Sequence, residues 1–237
     1  MSKKPLSPPL TSTLLTPLVV SELTALYSHS SRHYHSLTHI VTLLSALHTH
    51  LPLFTDAPAI EAAIWFHDAI YDTRAPPSQN EIQSAALAVS LLRDSVDADR
   101  LHRIKVMIEA TASHSVPSLE DLRSKDPGHL EDAKMFLDMD LGILAADEGE
   151  YAEYEKGVRE EYAWVGEGQW KEGRGKVLRS FLERERIYAS DAFGPLWEGK
   201  ARENLQRSLM ALEPVIDGGA EGGERGNQAF ERATTAP

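Results

Sequence analysis

The chain has 237 residues, of which 42% are hydrophobic and 25% charged, a composition typical of one globular domain with a core. Its net charge of −12 disfavours binding of long nucleic acids, and the absence of cysteine excludes disulfides and thiolate metal sites. No stretch approaches the roughly 20 apolar residues of a membrane span, and prolines interrupt the first segment where a signal peptide would be apolar, so we expect a cytoplasmic protein, with the nucleus as a second option.

The predicted elements are helices throughout. Residues 1–17 contain four prolines and predict a flexible arm, and residues 215–237, rich in glycine and polar side chains, predict a disordered tail. Residues 18–214 predict one all-α domain of about seven to nine helices, because apolar residues recur at helical spacing and no stretch alternates as a strand would. The predicted helices are 18–29, 35–50, 57–72, 79–94, 98–113, 129–145, 148–165, 170–188 and 195–212. The charge-rich stretch 148–162 indicates a solvated helix face.

The second predicted helix contains the sequence RHYHSLTHIVTLLSAL, residues 32–47. His35 and His39 are four residues apart, so on a helix they project from the same face. They border the apolar side that includes Ile40 and Leu43. Taken alone, this motif is compatible with a metal site and also with a pair of surface histidines.

The third predicted helix contains AAIWFHDAIYD, residues 62–72, in which His67 and Asp68 are adjacent. An isolated buried histidine more often hydrogen-bonds a carbonyl group. An ionised carboxylate in so apolar a helix, however, is costly to bury without a partner. A divalent cation would stabilise both side chains at once, so the pair favours a metal site.

The sixth predicted helix contains DAKMFLDMDLGILA, residues 132–145. On an ideal helix, Asp140 falls near the middle of the apolar arc, and Asp138 lies about 160° away from it. The pattern therefore predicts that Asp140 points into the core and Asp138 towards solvent. A metal ion is the simplest reason for a carboxylate in the middle of an apolar face.

Four side chains together predict one divalent metal site. Two imidazoles and two carboxylates suit Mn, Fe, Mg, Co or Zn, and the sequence does not choose among these ions. The predicted ligands are His39, His67, Asp68 and Asp140.

Other polar side chains are candidates for contact with a substrate. Glu81 begins a helix, where it either stabilises the helix N-terminus or contributes to the site by orienting a ligand histidine. His114 ends the fifth predicted helix and is either a further ligand, a phosphate contact, or a partner of the helix dipole. Arg32, Lys105 and Arg159 could pair with phosphate, although such residues are commonly solvated.

These motifs resemble those of the HD superfamily of metal-dependent phosphohydrolases, in which the pattern H…HD…D fits His39, His67-Asp68 and Asp140. The resemblance extends to a branch of predicted HD-superfamily phosphohydrolases and covers most of residues 22–212. The segments that carry it are YHSLTHI (34–40), FHDAIYD (66–72), NEIQSA (80–85), ATASH (110–114), FLDMDLGIL (136–144), VREEYAWV (158–165) and ARENL (201–205). The resemblance implies an HD-type helical bundle that binds a divalent metal ion.

Two of these segments imply further roles. YHSLTH is similar to the YHNxxH segment of cyclic-nucleotide phosphodiesterases, which implies that His35 is the general acid, although Ser36 stands where that family has Asn. FHDAIYDT is similar to the HDxxED segment of guanosine tetraphosphate hydrolases, which implies that Asp72 orients or deprotonates the attacking water, although Tyr71 replaces the Glu. A hydrogen bond at a helix end or in a loop is the alternative role of Asp72. The predicted catalytic residues are His35, Asp68 and Asp72.

The resemblance therefore implies hydrolysis of a small phosphate ester, a nucleotide or a related metabolite, by metal-activated water. Three alternatives stay open: a di-iron oxygenase with His35 and His114 as extra ligands, a non-catalytic module that binds a nucleotide or a protein, and a purely structural metal. The expected partner is a small phosphorylated molecule, without a membrane or a long nucleic acid. The oligomeric state is open, with a homodimer among the options.

Overall fold

A computed structural model describes residue 12 and residues 14–212 of the chain. In this part, nine α-helices and two short 3₁₀ helices follow one another without a strand, which confirms the predicted all-α class. The α-helices are α1 (Pro17–Tyr27), α2 (Leu37–Thr49), α3 (Ala57–Phe66), α4 (Gln79–Leu92), α5 (Ala98–Ala110), α6 (Pro127–Asp140), α7 (Glu148–Glu161), α8 (Glu167–Leu182) and α9 (Gly194–Leu212). The 3₁₀ helices are Leu51–Leu53 and Leu141–Ala145. None of the described helices is both long and apolar enough to cross a bilayer.

The predicted tail, residues 215–237, and most of the predicted arm, residues 1–17, lie outside the described residues. The end of the arm nevertheless belongs to the folded domain. Leu15 is buried in the core, and the hydroxyl oxygen of Thr16 accepts a hydrogen bond from the backbone N–H of Val19 at 3.4 Å. This N-cap begins α1 at Pro17, where proline is well tolerated.

The interior consists of two hydrophobic clusters. The larger one is formed mainly by α1–α6, and the smaller one by the second 3₁₀ helix and α7–α9. Trp197 of α9 packs against both. Residues 59–66 of α3 are all buried, so α3 is the central helix of the larger cluster.

Helix α3 ends earlier than predicted, at Phe66 rather than at residue 72. His67 is its C-cap, and Asp68 lies in the turn that follows. The N–H groups that would continue the helix have other acceptors: Ala69 donates to the carbonyl of Phe66 at 3.0 Å, and Ile70 donates to the hydroxyl oxygen of Ser84 at 3.0 Å. The guanidinium of Arg32 then holds the turn by donating to the carbonyl oxygens of Asp68 at 2.6 Å and Ala69 at 2.8 Å. Helix α6 likewise ends at Asp140 and continues as a 3₁₀ helix, so both predicted carboxylate ligands lie at helix ends.

The expectation of a solvated face for residues 148–162 was wrong for one side of the helix. Tyr151, Tyr154, Val158 and Glu161 are buried in the smaller cluster or next to it. These positions recur at intervals of three and four residues, so α7 is amphipathic, and only its opposite side is solvated.

Candidate metal centre

Three buried side chains converge from the starts and ends of different helices. They are His39 in the first turns of α2, His67 at the end of α3, and Asp140 at the end of α6. The Nε2 atoms of the two histidines are 3.2 Å apart, and Asp140 Oδ1 lies 3.1 Å from the first and 3.4 Å from the second. This buried group could hold a metal ion.

Asp68 extends the cluster by a fourth donor atom. Its Oδ2 atom lies 3.1 Å from Nε2 of His67 and 4.0 Å from Nε2 of His39. Its side chain is 15% exposed, more than those of the other three residues. Asp68 therefore lies on the side of the cluster that opens towards the surface.

The donor atoms fit a divalent cation. Ligands at right angles around an ion, with bonds of about 2.1 Å, are separated by about 3 Å, which is close to the distances between these atoms. The Nδ1 atom of His67 lies 2.9 Å from the carbonyl oxygen of Ile64, so it carries the proton in the neutral ring, and the lone pair of Nε2 faces the cluster. A mixed nitrogen and oxygen set of this kind does not identify the metal.

The electrostatics of the cluster favour ionised carboxylates. Burial alone would raise the pKa of Asp140, but the positive field of His67 and hydrogen bonds from histidines hold it well below its usual value. Burial lowers the pKa of His39, which favours the neutral, metal-binding form of that ring. Burial also opposes the protonation of His67, but the charges of Asp68 and Asp140 raise its pKa, so binding of a cation there would release a proton.

Asp140 differs from the two other buried carboxylates of α6. Asp132 accepts hydrogen bonds from the backbone N–H groups of Thr55 and Asp56, at 2.8 and 2.7 Å. Asp138, which was predicted to face solvent, is 1% exposed.

Asp138 is buried because the segment between α8 and α9 covers that side of α6. Its carboxylate accepts hydrogen bonds from the backbone N–H groups of Ala189 at 2.7 Å and Ser190 at 2.8 Å. The prediction for Asp138 was therefore wrong, whereas Asp140 is buried as expected. Among these carboxylates, Asp140 is the one that meets histidines, as a metal ligand would.

His114 contacts the cluster from the side of α5. Its Nε2 atom lies 3.0 Å from Oδ2 of Asp140, the oxygen that does not face His39. The residue lies after the end of α5 with a positive φ of 49°, and Arg184 donates to the carbonyl oxygens of Ser113 and His114. His114 is thus held in an unusual backbone conformation next to a predicted ligand.

A second buried pair lies beside the cluster, formed by His35 and Glu161. Glu161 Oε2 is 2.7 Å from His35 Nδ1, and Glu161 Oε1 accepts hydrogen bonds from the backbone N–H groups of His33, Tyr34 and His35 at 2.8, 2.8 and 2.9 Å. His35 precedes α2 rather than lying within it, so it is this carboxylate, not helical spacing, that places it near His39.

Each member of the pair stabilises the charged form of the other. Burial opposes ionisation of Glu161, but the charge and hydrogen bond of His35 lower its pKa to about 2. Burial also opposes protonation of His35, but the charge of Glu161 raises its pKa above 6.5. Tyr71 stacks on His35 with ring centres 4.3 Å apart and donates its hydroxyl proton to Glu161 Oε2 at 3.1 Å. Tyr71 therefore fixes both members of the pair.

A small cavity of about 20 Å³ lies between His35 and the carboxylates of Asp68 and Asp140. Its lining includes His35, Asp68, Asp72, Glu81, His114 and Asp140. A larger groove of about 480 Å³ lies on another side of the cluster, where His39 and Asp140 contact it together with apolar side chains such as Leu43 and Trp197. The cluster is therefore accessible from two sides.

Asp72 and Glu81 lie at different depths in the cavity wall. Asp72 is exposed, and its Oδ1 atom accepts a hydrogen bond from the backbone N–H of Arg74 at 2.8 Å. Glu81, in the first turn of α4, is 8% exposed, and its Oε2 atom has no hydrogen-bond partner.

The basic residues proposed as phosphate contacts do not line this cavity. Arg32 donates to backbone carbonyls, as described above, and Arg159 donates to those of Tyr162 and Val165. Lys105 binds the carboxylate of Glu109 at 2.7 Å. Lys105 and Arg159 thus have partners outside the candidate site, whereas Arg32 binds the backbone of two site residues, Asp68 and His35.

Sequence reasoning missed Glu161, although a signal for it exists. Glu161 follows Val158 by three residues and Tyr154 by seven, so it shares their apolar helix face. The same criterion that singled out Asp140 would have singled out Glu161.

No protein-family model, no curated protein and no solved structure matches the chain. The candidate function accordingly depends on the geometry of the metal centre and on the resemblance of its motifs.

Proposed function

We propose that the protein is a metal-dependent phosphohydrolase of the HD type, which cleaves a small phosphate ester such as a nucleotide or a related metabolite. One observation carries the proposal: His35, which is paired with Glu161, lines the same small cavity as Asp68 and Asp140 of the cluster. Hydrolysis of a phosphate ester needs a centre of positive charge and a proton donor side by side: a metal ion held by the cluster would be the first, and His35 would be the second.

His39, His67, Asp68 and Asp140 would hold the metal ion. When bound, a divalent ion polarises a phosphoryl oxygen and lowers the pKa of a coordinated water. The chain contributes the placement: three of the four ligands are buried, and the most exposed one, Asp68, faces the cavity. The open side of the cluster therefore lies next to His35 and Asp72, the residues that would transfer a proton and orient the water.

His35 would protonate the leaving oxygen as the P–O bond breaks. Glu161 accepts the hydrogen bond from Nδ1, so Nε2 is the nitrogen from which His35 can give a proton to the substrate. The charge of Glu161 raises the pKa of His35 in spite of burial, which favours the protonated ring that can donate a proton. Glu161 and Tyr71 are positioning residues because they act through His35.

Asp72 would orient the attacking water from the mouth of the cavity. It is exposed, and the hydrogen bond from Arg74 to Oδ1 fixes its carboxylate. Its role is secondary to that of the cluster, since a water molecule can reach the cluster from the exposed side without it.

The test is a screen of phosphate monoesters, phosphodiesters and nucleotides with the Mn²⁺-loaded full chain and with Asp68→Ala. We expect hydrolysis of at least one ester by the wild type and a loss of about 10²-fold or more in the variant. Equal turnover by both proteins would remove the catalytic assignment. Two iron atoms per chain and a requirement for oxygen would instead favour the di-iron alternative.

A further inference from the structure

The proposed proton donor and the predicted metal ligands are supported by different parts of the fold. The ligands lie in the first turns of α2, at the ends of α3 and α6, and in the turn after α3. The segment that carries His35 instead rests on α7. Tyr34 packs against the smaller hydrophobic cluster, and Glu161 binds the backbone N–H groups of residues 33–35. Whatever brings this segment close to α7 therefore also decides where His35 lies.

Gly157 lies on the face of α7 that meets this segment. It is buried, and it precedes Glu161 by four residues, so the two positions share one side of the helix. A Cβ atom at Gly157 would lie 3.2 Å from the Cβ atom of Tyr34, 3.2 Å from its backbone nitrogen and 3.3 Å from the carbonyl carbon of His33. Ordinary contacts of a Cβ atom are 3.4–4 Å long. The segment is therefore closer to α7 than a residue with a side chain would allow without a shift.

The segment has little freedom to yield to such a side chain. Two of the three atoms that a Cβ would meet belong to the backbone, so no rotation of a side chain relieves the contact. The N–H groups of residues 33–35 are bound to Oε1 of Glu161 at 2.8, 2.8 and 2.9 Å. The ring of Tyr34 lies against those of Tyr154 and His39, with ring centres 4.7 and 5.1 Å apart. A side chain in place of the glycine would therefore widen the gap to α7 and lengthen the hydrogen bonds of Glu161.

Helix formation does not explain the glycine. Gly157 lies in the interior of α7, where glycine is less favourable than alanine because it loses more backbone freedom on folding. Its φ lies outside the left-handed region in which glycine is favoured. The close approach of residues 33–34 supplies the physical reason for a residue without a Cβ atom here.

We propose that Gly157 is a positioning residue for His35: its missing Cβ atom lets the segment before α2 close on α7, so that Glu161 reaches Nδ1 of the histidine and leaves Nε2 for the substrate. The inference rests on the proposed function for its catalytic consequence. It adds that α7 sets the position of the proton donor, whereas α2, α3 and α6 set those of the metal ligands. The proton donor can therefore be displaced without loss of metal.

The first experiment compares Gly157→Ala with Gly199→Ala in the full chain and needs no activity. Gly199 lies in the interior of α9, where a Cβ atom would meet nothing within 4 Å, so it is the matched control for alanine in a helix. Amide hydrogen exchange of residues 33–35 should be about tenfold faster in Gly157→Ala and unchanged in Gly199→Ala. The control should raise the Tm, and Gly157→Ala should not. A shift of a few tenths of an ångström relieves the contacts, so Gly157→Ala should fold.

The second experiment tests the catalytic consequence in the Mn²⁺-loaded variants. Both should retain the metal content of the wild type. Gly157→Ala should hydrolyse an alkyl ester of phosphate at least about tenfold more slowly than the wild type, and a p-nitrophenyl ester at nearly the wild-type rate. The reason is that a good leaving group needs little help from a proton donor. A merely structural defect would lower both rates by the same factor.

Unchanged exchange of residues 33–35 together with a raised Tm in Gly157→Ala would overturn the inference, because alanine would then fit. An equal loss of rate for both esters, or loss of metal, would also overturn it, since Gly157 would not act through His35. Faster exchange in Gly157→Ala without hydrolysis of any ester by the wild type would support the placement of the segment by Gly157 and contradict only the proposed function.

Discussion

The Oε2 atom of Glu161 lies 2.7 Å from the Nδ1 atom of His35, although 126 residues separate them in the chain. The contact joins the end of α7 to the segment before α2, and the other carboxylate oxygen accepts three backbone N–H groups of that segment. The side chain of Glu161 therefore holds the backbone of residues 33–35 in place and orients the ring of His35. Several expected outcomes depend on this relationship.

Glu161→Gln should lower kcat by about 10²-fold without loss of metal. Glutamine has no negative charge, and only its oxygen can accept a hydrogen bond, so the pKa of His35 falls and its ring is no longer held as a proton donor. As the pH rises, the residual activity of the variant should decline at a lower pH than the activity of the wild type. Glu160→Gln is the control, since Glu160 is 46% exposed and contacts the exposed ring of His33. An equal loss in the control would contradict the role of Glu161.

Stability should depend on pH through the same pair. The pKa of Glu161 falls from 4.5 to about 2 on folding, so its contribution is present above pH 4.5 and is lost as the pH falls towards 2. The pKa of His35 is raised above 6.5, so its contribution is present below that pH and is lost as the pH rises through the folded-state value. Urea unfolding from pH 2 to pH 9 measures both slopes. Glu161→Gln should flatten them, and an unaltered profile would refute the assignment.

Asp138→Ala should affect stability, whereas Asp140→Ala should affect metal binding. Removal of Asp138 leaves the backbone N–H groups of Ala189 and Ser190 unpaired and should lower the free energy of unfolding by about 1–3 kcal/mol, with metal content unchanged. Removal of Asp140 should abolish metal binding, because it takes an oxygen from the centre of the cluster. Metal analysis and urea unfolding of both variants separate the two effects. Loss of metal from Asp138→Ala would contradict this reading.

Arg32→Lys should weaken metal binding rather than substrate binding. The guanidinium of Arg32 donates to the carbonyl oxygens of Asp68, Ala69 and His35, and a single ammonium group cannot reproduce this geometry. The turn that presents Asp68 should loosen, with an increase in the Kd for Mn²⁺. Arg159→Lys serves as the control, since Arg159 binds backbone carbonyls after α7, away from the cluster. A change in KM for a phosphate ester at saturating metal would instead support direct phosphate contact by Arg32.

The sequence by itself determined the helical class and the burial of Asp140. Helical periodicity is local, so the apolar arc around Asp140 is visible without any knowledge of its neighbours. For the same reason, the periodicity of α7 already placed Glu161 on an apolar face, although not beside His35. The adjacent His67 and Asp68 in an apolar stretch could be recognised as costly to bury, which pointed to a shared partner.

Only the tertiary structure decided which groups each buried carboxylate of α6 contacts. Asp138 and Asp140 lie two residues apart, yet the segment between α8 and α9 pairs the first with backbone N–H groups, and α2 and α3 bring histidines to the second. The end of α3 at Phe66 likewise depends on Ser84 of α4, whose hydroxyl oxygen accepts the N–H of Ile70, and the turn that follows is held by Arg32. Hydrogen bonds and ion pairs between remote segments leave no period in the sequence, because they are set by how helices pack against one another.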